Sequence, residues 1–347
     1  MKRLIAMLLA VLILFSIAAC SDGGTEPGGA ETPAPEYADE AFGCSAWLCY
    51  WDAETALREA REHADSFESL VCFEAFFDAE GNILLPPESE ALLAEMQTLD
   101  TPIYLSLVND VQQPDGSYVQ KSRDFLAQEL STPAARSAHI AKIMQLVRAR
   151  GVTGLEIDYE NFKKDTELWS AFTEFIGQLY SILSHNGVSL RVVMECGAPE
   201  YAVFPEGPVY ICMCYNLYGY HSGPGPKADR AFLEKLGESW KAVPGEVHMA
   251  FASGGFLWAV DKVEKALTEQ DAQSWLEQAR EKAKRDPDSG ALKTVVYGGK
   301  KQSVWFADGE TLALWRDTLR AMGYTHFDLF RLGGNTSESL AAFLGEA

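Results

Sequence analysis

Gly154-Leu155-Glu156-Ile157-Asp158-Tyr159-Glu160-Asn161 reads as a β-strand in which every second side chain is a carboxylic acid. Strand side chains alternate faces, so Glu156, Asp158 and Glu160 share one side and Leu155, Ile157 and Tyr159 the other. The segment before the run, Ile140 to Val147, has the apolar period of a helix. A helix feeding such a strand points to a parallel sheet covered on both faces. Three acids on the inner side of such a sheet are costly, because buried like charges do not all stay ionised, and chemistry is the reason to keep them. The competing reading is an edge strand whose acids face water.

Working outward, strand-like and helix-like runs alternate through the chain from about Ala41 to Ala347. The strand-like runs are Ser45–Trp51, Ser69–Phe77, Pro102–Val108, Gly154–Glu160, Val188–Glu195, Val209–Asn216, Val247–Ala252 and Thr325–Arg331. Regular alternation at this length predicts an α/β fold, a (β/α)8 TIM barrel, rather than an open doubly wound sheet. An open sheet would carry a Gly-rich phosphate turn after its first strand, and Trp51-Asp52-Ala53 is not one. A hairpin-like stretch from Lys293 to Phe306 adds a small β-rich insertion between strands 7 and 8. Barrel sites lie at the C-terminal strand ends. There the sequence places Glu160 on the fourth strand, Tyr215 and Asn216 on the sixth, and Phe330 and Arg331 on the eighth.

The chain opens with Lys2 and Arg3, an apolar run from Leu4 to Phe15, and Ile17-Ala18-Ala19-Cys20. This is the pattern of a secretory signal whose end resembles a bacterial lipobox, predicting cleavage before Cys20 and lipidation of its sulfur. The apolar run is shorter than the roughly 20 residues that span a bilayer, against an uncleaved anchor. Residues 21–40, rich in Gly, Pro, Glu, Thr and Ala, read as a tether, and 41–347 as the folded barrel. The expected address is therefore extracytoplasmic, lipid-anchored to the bacterial cell membrane. Losing Lys2 and Arg3 leaves 27 basic residues against 50 acidic, a net charge of −23 without a basic patch, which argues against a nucleic-acid partner. A monomer is the expected state.

Beyond Cys20 the cysteines are Cys44, Cys49, Cys72, Cys196, Cys212 and Cys214. Cys212 and Cys214 sit two apart on one strand face, a poor geometry for bridging each other. Disulfides and buried free thiols both remain open at this level. No Cys/His spacing resembles a zinc site, so neither a metal nor a cofactor is expected.

The run from Gly154 to Glu160 resembles the fourth-strand signature of glycoside hydrolase family 18: Asp, Gly, apolar, Asp, apolar, Asp, aromatic, Glu. Met213-Cys214-Tyr215-Asn216 resembles the sixth-strand Met-x-Tyr-Asp of that family, and Phe330-Arg331-Leu332-Gly333 its eighth-strand Trp-Arg-Leu-Gly. Pro102 to Asn109 and Val304-Trp305-Phe306-Ala307-Asp308 look like its spore-germination and cortex-lytic branch. The resemblance implies a barrel glycosidase that cleaves β-1,4 bonds next to N-acetylglucosamine with retention, by substrate assistance. Peptidoglycan is the expected polymer, with chitin and N-glycans as alternatives. Carried over, Glu160 is the general acid and later activates water, Asp158 holds the substrate's acetamido group, and Tyr215 hydrogen-bonds its carbonyl. Glu156, Asn216 and Phe330 are the implied substrate-side residues.

The departures are Thr153 and Glu156 in place of the first two Asp residues, Asn216 in place of Asp, and Phe330 in place of Trp. Glu156 keeps the relay's charge on a longer stem, and Phe330 offers less stacking area to a sugar. Trp51 and Trp258 are read either as sugar platforms or as core packing; Asn109, Glu195 and His221 either line the cleft or are structural. These departures also leave a second expectation, a non-catalytic, lectin-like carbohydrate-binding protein on the same barrel, although the acid at Glu160 is kept.

Overall fold

Eight strands, each parallel to both neighbours, close into a barrel in the computed structural model, which describes residues 41–346 apart from 163, 280, 298 and 299. In chain order they are β1 Gly43–Cys49, β2 Ser69–Asp78, β3 Ile103–Gln112, β4 Gly154–Asp158, β5 Ser189–Met194, β6 Val209–Met213, β7 Val247–Phe251 and β8 His326–Leu329. Strand β8 pairs with both β7 and β1, which closes the ring. Residues 1–20, expected to be a signal sequence ending at Cys20, and 21–40, expected to be a tether, lie outside the described residues. Among the described residues no helix is long and apolar enough to cross a membrane.

The alternation read in β4 is realised in space. Leu155, Ile157 and Tyr159 join the large apolar layer between strands and helices, where Tyr159 stacks on Phe175. Their opposites point into the barrel, beside the inner cluster of Trp47, Val71, Val193, Ile211, Met213 and Ala250. Gly154 is required by this packing: it pairs with Tyr104 of β3, and a Cβ there would lie 2.1 Å from the Tyr104 ring. The preceding helix, Pro133–Arg150, starts on Thr132, whose side chain accepts from the Ala135 N–H, and stops at Gly151 in the left-handed region at φ 61°.

Two local differences from the sequence expectation shape the site. Beyond Val108, where the sequence ended the third strand, β3 continues to Gln112 and returns as Tyr118–Val119 in a two-stranded ribbon. Its turn is set by Asp115, whose carboxylate accepts from the Ser117 N–H at 2.9 Å, and by Gly116 at φ 83°. The ribbon delivers Lys121 to the top of the barrel. The insertion between β7 and β8 is larger than one hairpin: Gly254–Ala259, Lys262–Leu267, Lys284–Arg285, Leu292–Tyr297 and Lys301–Ala307 form a five-stranded antiparallel sheet. It has its own core of Leu257, Leu267, Ala272, Val296, Val304 and Phe306.

The loop after β8 is fixed from a distance by Glu59, buried on the helix Ala53–Glu62. Its carboxylate accepts from the N–H groups of Gly333, Gly334 and Asn335 at 2.7, 2.8 and 3.0 Å and from the Asn335 side chain at 2.8 Å. Gly333 and Gly334 sit at φ 103° and 88°, so the cradle needs glycine.

Candidate active site

Glu160 lies two residues beyond the end of β4, with its backbone clamped by Asn109 of β3. The Glu160 N–H donates to Asn109 Oδ1 at 3.0 Å and Asn109 Nδ2 donates back to the Glu160 carbonyl at 3.1 Å. Asn161 follows at φ 71°, donating its N–H to Glu195 Oε1 at 3.2 Å. Asn109 and Glu195 are therefore positioning residues that aim Glu160. Phe330, one residue past β8, stacks its ring on Tyr215, two past β6, at 6.1 Å and 17°, and meets Trp47 and Phe73 at 6.0 Å each.

Electrostatics separates the members of the motif. Asp158 is pushed well above the usual carboxylate range by burial, then by Glu160 and Glu156. Glu160 is raised by burial in spite of Lys121, whose Nζ is 2.5 Å from Glu160 Oε1. Burial and then Asp158 and Glu160 push the Tyr215 phenol up, so it stays a hydrogen-bond donor at neutral pH. Among the described residues no donor reaches Asp158 Oδ1, which is buried. A buried carboxylate oxygen without a donor costs free energy that an incoming N–H recovers.

The sequence reading missed the other half of the acid cluster. Glu74, on β2, and Asp110, on β3, line the same cavity of about 290 Å³ as Trp51, Lys121, Asp158 and Glu160. Glu74 is pushed up to about 8 by burial and by Asp110. The available signal was Glu74 interrupting an apolar run near a strand end. Trp51, 47% exposed, forms part of the wall and meets Phe73 edge-on at 5.9 Å. Phe330 and Arg331 border a second depression of about 580 Å³ with Lys227, which burial and Arg331 bring down to about 7. Asn216 and His221 are exposed in the segment after β6.

Two expected substrate-side residues are not at the cleft. Glu156 is fully buried: Trp47 Nε1 donates to it at 2.6 Å and Arg191 Nε at 3.2 Å. Strands rise about 3.3 Å per residue, so Glu156 sits too deep to meet a sugar and its longer stem serves Arg191 instead. Trp258 is also fully buried, because β7 ends at Phe251 and Trp258 belongs to the insertion sheet, against Phe256. All six cysteines from Cys44 to Cys214 are free thiols, five of them buried.

Lys121 supplies a prediction. It lowers the Glu160 pKa, so Lys121→Met lets that pKa rise further. The protonated acid then persists to higher pH, and the alkaline limb of kcat/KM for any reaction in which Glu160 is the proton donor is expected to move upward. An unmoved limb would separate Lys121 from the titration of Glu160.

No family model matches the chain, and no curated protein matches it in sequence. Solved structures do match its fold. A chitinase from Chromobacterium violaceum superposes with a TM-score of 0.74 at 18% identity, covering 88% of this chain and 99% of that one. The spore cortex-lytic enzyme SleL of Bacillus cereus gives 0.73 at 16% identity, over 88% of this chain and 74% of that one. A class V chitinase mutant from Nicotiana tobaccum, solved in complex with NAG4, gives 0.70 at 13%, over 87% and 98%. The chain thus has the (β/α)8 fold of the family 18 chitinases and cortex-lytic enzymes.

Proposed function

We propose that the protein is an exported, lipid-anchored glycosidase that cleaves β-1,4 bonds next to N-acetylglucosamine by a retaining, substrate-assisted route, with peptidoglycan as its polymer. One observation carries the reading: Asp158 turns a buried, unpartnered oxygen into an acid-lined cleft beside Glu160. An acetamide N–H is the donor that oxygen lacks. Held there, the acetamide carbonyl attacks the anomeric carbon, Tyr215 donates to that carbonyl, and Glu160 protonates the leaving oxygen before activating water. The fold likeness to chitinases and to SleL supports the substrate class, and residues 1–20 support the address.

The test is mass spectrometry of products from peptidoglycan, chitin oligomers and N-glycans, each with and without N-acetyl groups. Cleavage of acetylated substrates only, blocked by a thiazoline mimic of the bicyclic intermediate, is the expected result. Cleavage that persists on de-N-acetylated substrate overturns substrate assistance. A binding-only reading draws on the Lys121 ammonium engaged on Glu160. It predicts saturable oligosaccharide binding without products.

Asp158→Asn is expected to abolish turnover and raise the melting temperature. The sign follows from the raised pKa: a buried acid that resists ionisation costs stability once pH exceeds its unfolded value of about 3.9. The amide removes that cost, so the gap over wild type should be open at pH above neutrality and close in acid, as read by calorimetry.

A further inference from the structure

At the closed end of the barrel, opposite the cleft, the register of β7 and β8 sets Met249 beside Phe327 and so His248 beside His326. Glu246 precedes His248 by two residues and shares its face. The two imidazoles stack at 4.8 Å and 16°, and one ligand atom from each of Glu246, His248 and His326 lies within 4.8 Å of the others.

His248 sits between two carboxylates, with Nδ1 2.8 Å from Asp328 Oδ1 and Nε2 3.1 Å from Glu246 Oε1. Asp328 accepts the Nδ1 hydrogen, which leaves the Nε2 position, facing Glu246, to be filled by either a proton or a metal cation. His326 Nδ1 is 3.1 Å from Thr325 Oγ1, and its Nε2 is 3.7 Å from Glu68 Oε2. Arg191, the cation nearby, is taken by Asp328 and Glu156.

We propose that Glu246, His248 and His326 form a binding site for a divalent metal of the zinc type, with water as the remaining ligand. Two imidazoles and one carboxylate are a zinc donor set, and Asp328 orients His248 in the way outer carboxylates orient metal-ligating histidines. Tetrahedral donors on bonds of about 2.0–2.1 Å stand roughly 3.3 Å apart, and a metal lies in the plane of each imidazole it binds, so closure needs the exposed Glu246 to swing inward and the partly exposed His326 ring to turn out of its stack on His248. A depression of about 390 Å³ bordered by Glu246 and His326 gives the ion and its water a way in. The ligands come from strands about 80 residues apart, which is why local Cys/His spacing did not announce them. Sites at this end of such barrels serve stability, so the metal is expected to tie β7 to β8 without touching turnover.

The experiment is zinc titration of the chelator-stripped protein at neutral pH by calorimetry, with thermal melts and cobalt absorption spectra. The expected result is saturable binding of one zinc per chain and a melting temperature higher by about 5 °C at saturating metal. Cobalt should show the intense visible bands of low coordination, and binding should weaken at least about 10-fold in each of Glu246→Gln and His326→Gln. Oligosaccharide cleavage by the wild type should be equal with and without metal. Absence of saturable binding overturns the site, as does a pale six-coordinate cobalt spectrum, which reads out on the wild type even if a variant folds poorly. Loss of binding in His63→Gln, beside Glu346, with both site variants unchanged, would also overturn it.

Discussion

Glu160→Gln is expected to lower kcat on N-acetylglucosamine oligomers by about 10²–10⁴-fold, the usual contribution of a positioned proton donor. The amide keeps the shape of the side chain and its place in the cleft. The backbone clamp to Asn109 is untouched, because it involves the Glu160 main chain only. Substrate binding should therefore persist, and KM should change far less than kcat. Stability should not fall, since burial raises the wild-type acid and the amide escapes that cost. The wild-type pH profile carries the same information: a raised Glu160 keeps its proton further toward neutrality, so the alkaline limb should lie above the free carboxylate value of about 4.3. Steady-state kinetics of wild type and variant decide the matter. Equal kcat would remove Glu160 from the role of acid and leave the acid cluster to binding alone.

The barrel was legible because its strongest signals are local and periodic. Alternation from Gly154 to Glu160, and the helix before it, specify a strand that is apolar outward and acidic inward, and the strand order follows from regular repetition. Six of the eight strands ended within about two residues of expectation, the ordinary fraying of such boundaries, while β3 ran four residues past Val108 and β6 stopped three before Asn216. What the alternation does not encode is depth. Glu156, Asp158 and Glu160 share a face, yet at about 3.3 Å per residue they occupy three levels of the barrel. Only the upper two reach the cavity. Thr153 is lower still, hydrogen-bonded to Ile103 at the foot of β3, so its departure from Asp falls outside the cleft.

Residues brought in by other strands were not legible. Glu74 and Asp110 join the cluster through the pairing of β2 with β3, which places Phe77 beside Val111. Lys121 arrives on a ribbon whose turn chemistry was visible in Asp115-Gly116 but whose return path was not. Trp258 takes the core-packing reading because Gly254 and Gly255 begin a new sheet there: a Cβ at Gly255 would lie 1.8 Å from the Trp305 carbonyl. Glycine at that position permits the close strand approach that buries the indole.

The second large effect lies beneath the cleft, at Arg191. Arg191 is 1% exposed, and its guanidinium holds Glu156 through Nε at 3.2 Å, Ser69 Oγ through Nη1 at 3.0 Å, and Asp328 through Nη2. It also lies over the Trp47 and Tyr104 rings at 5.6 and 5.2 Å. Arg191→Met fills much of the volume but strands two buried carboxylates, and removing one partner of such a network typically costs about 3–5 kcal/mol. That is a large part of the roughly 5–15 kcal/mol available to a folded domain, so a steep fall in melting temperature is expected. The loss should come from uncompensated charge rather than from missing volume. Glu156→Gln placed on top of Arg191→Met should therefore recover part of it, since the amide needs no cation and still accepts from Trp47 Nε1. Denaturant melts of the two single variants and the double give the coupling directly. If the double variant is no more stable than Arg191→Met alone, the network acts through packing, and Glu156 is not the charge that Arg191 is there to balance.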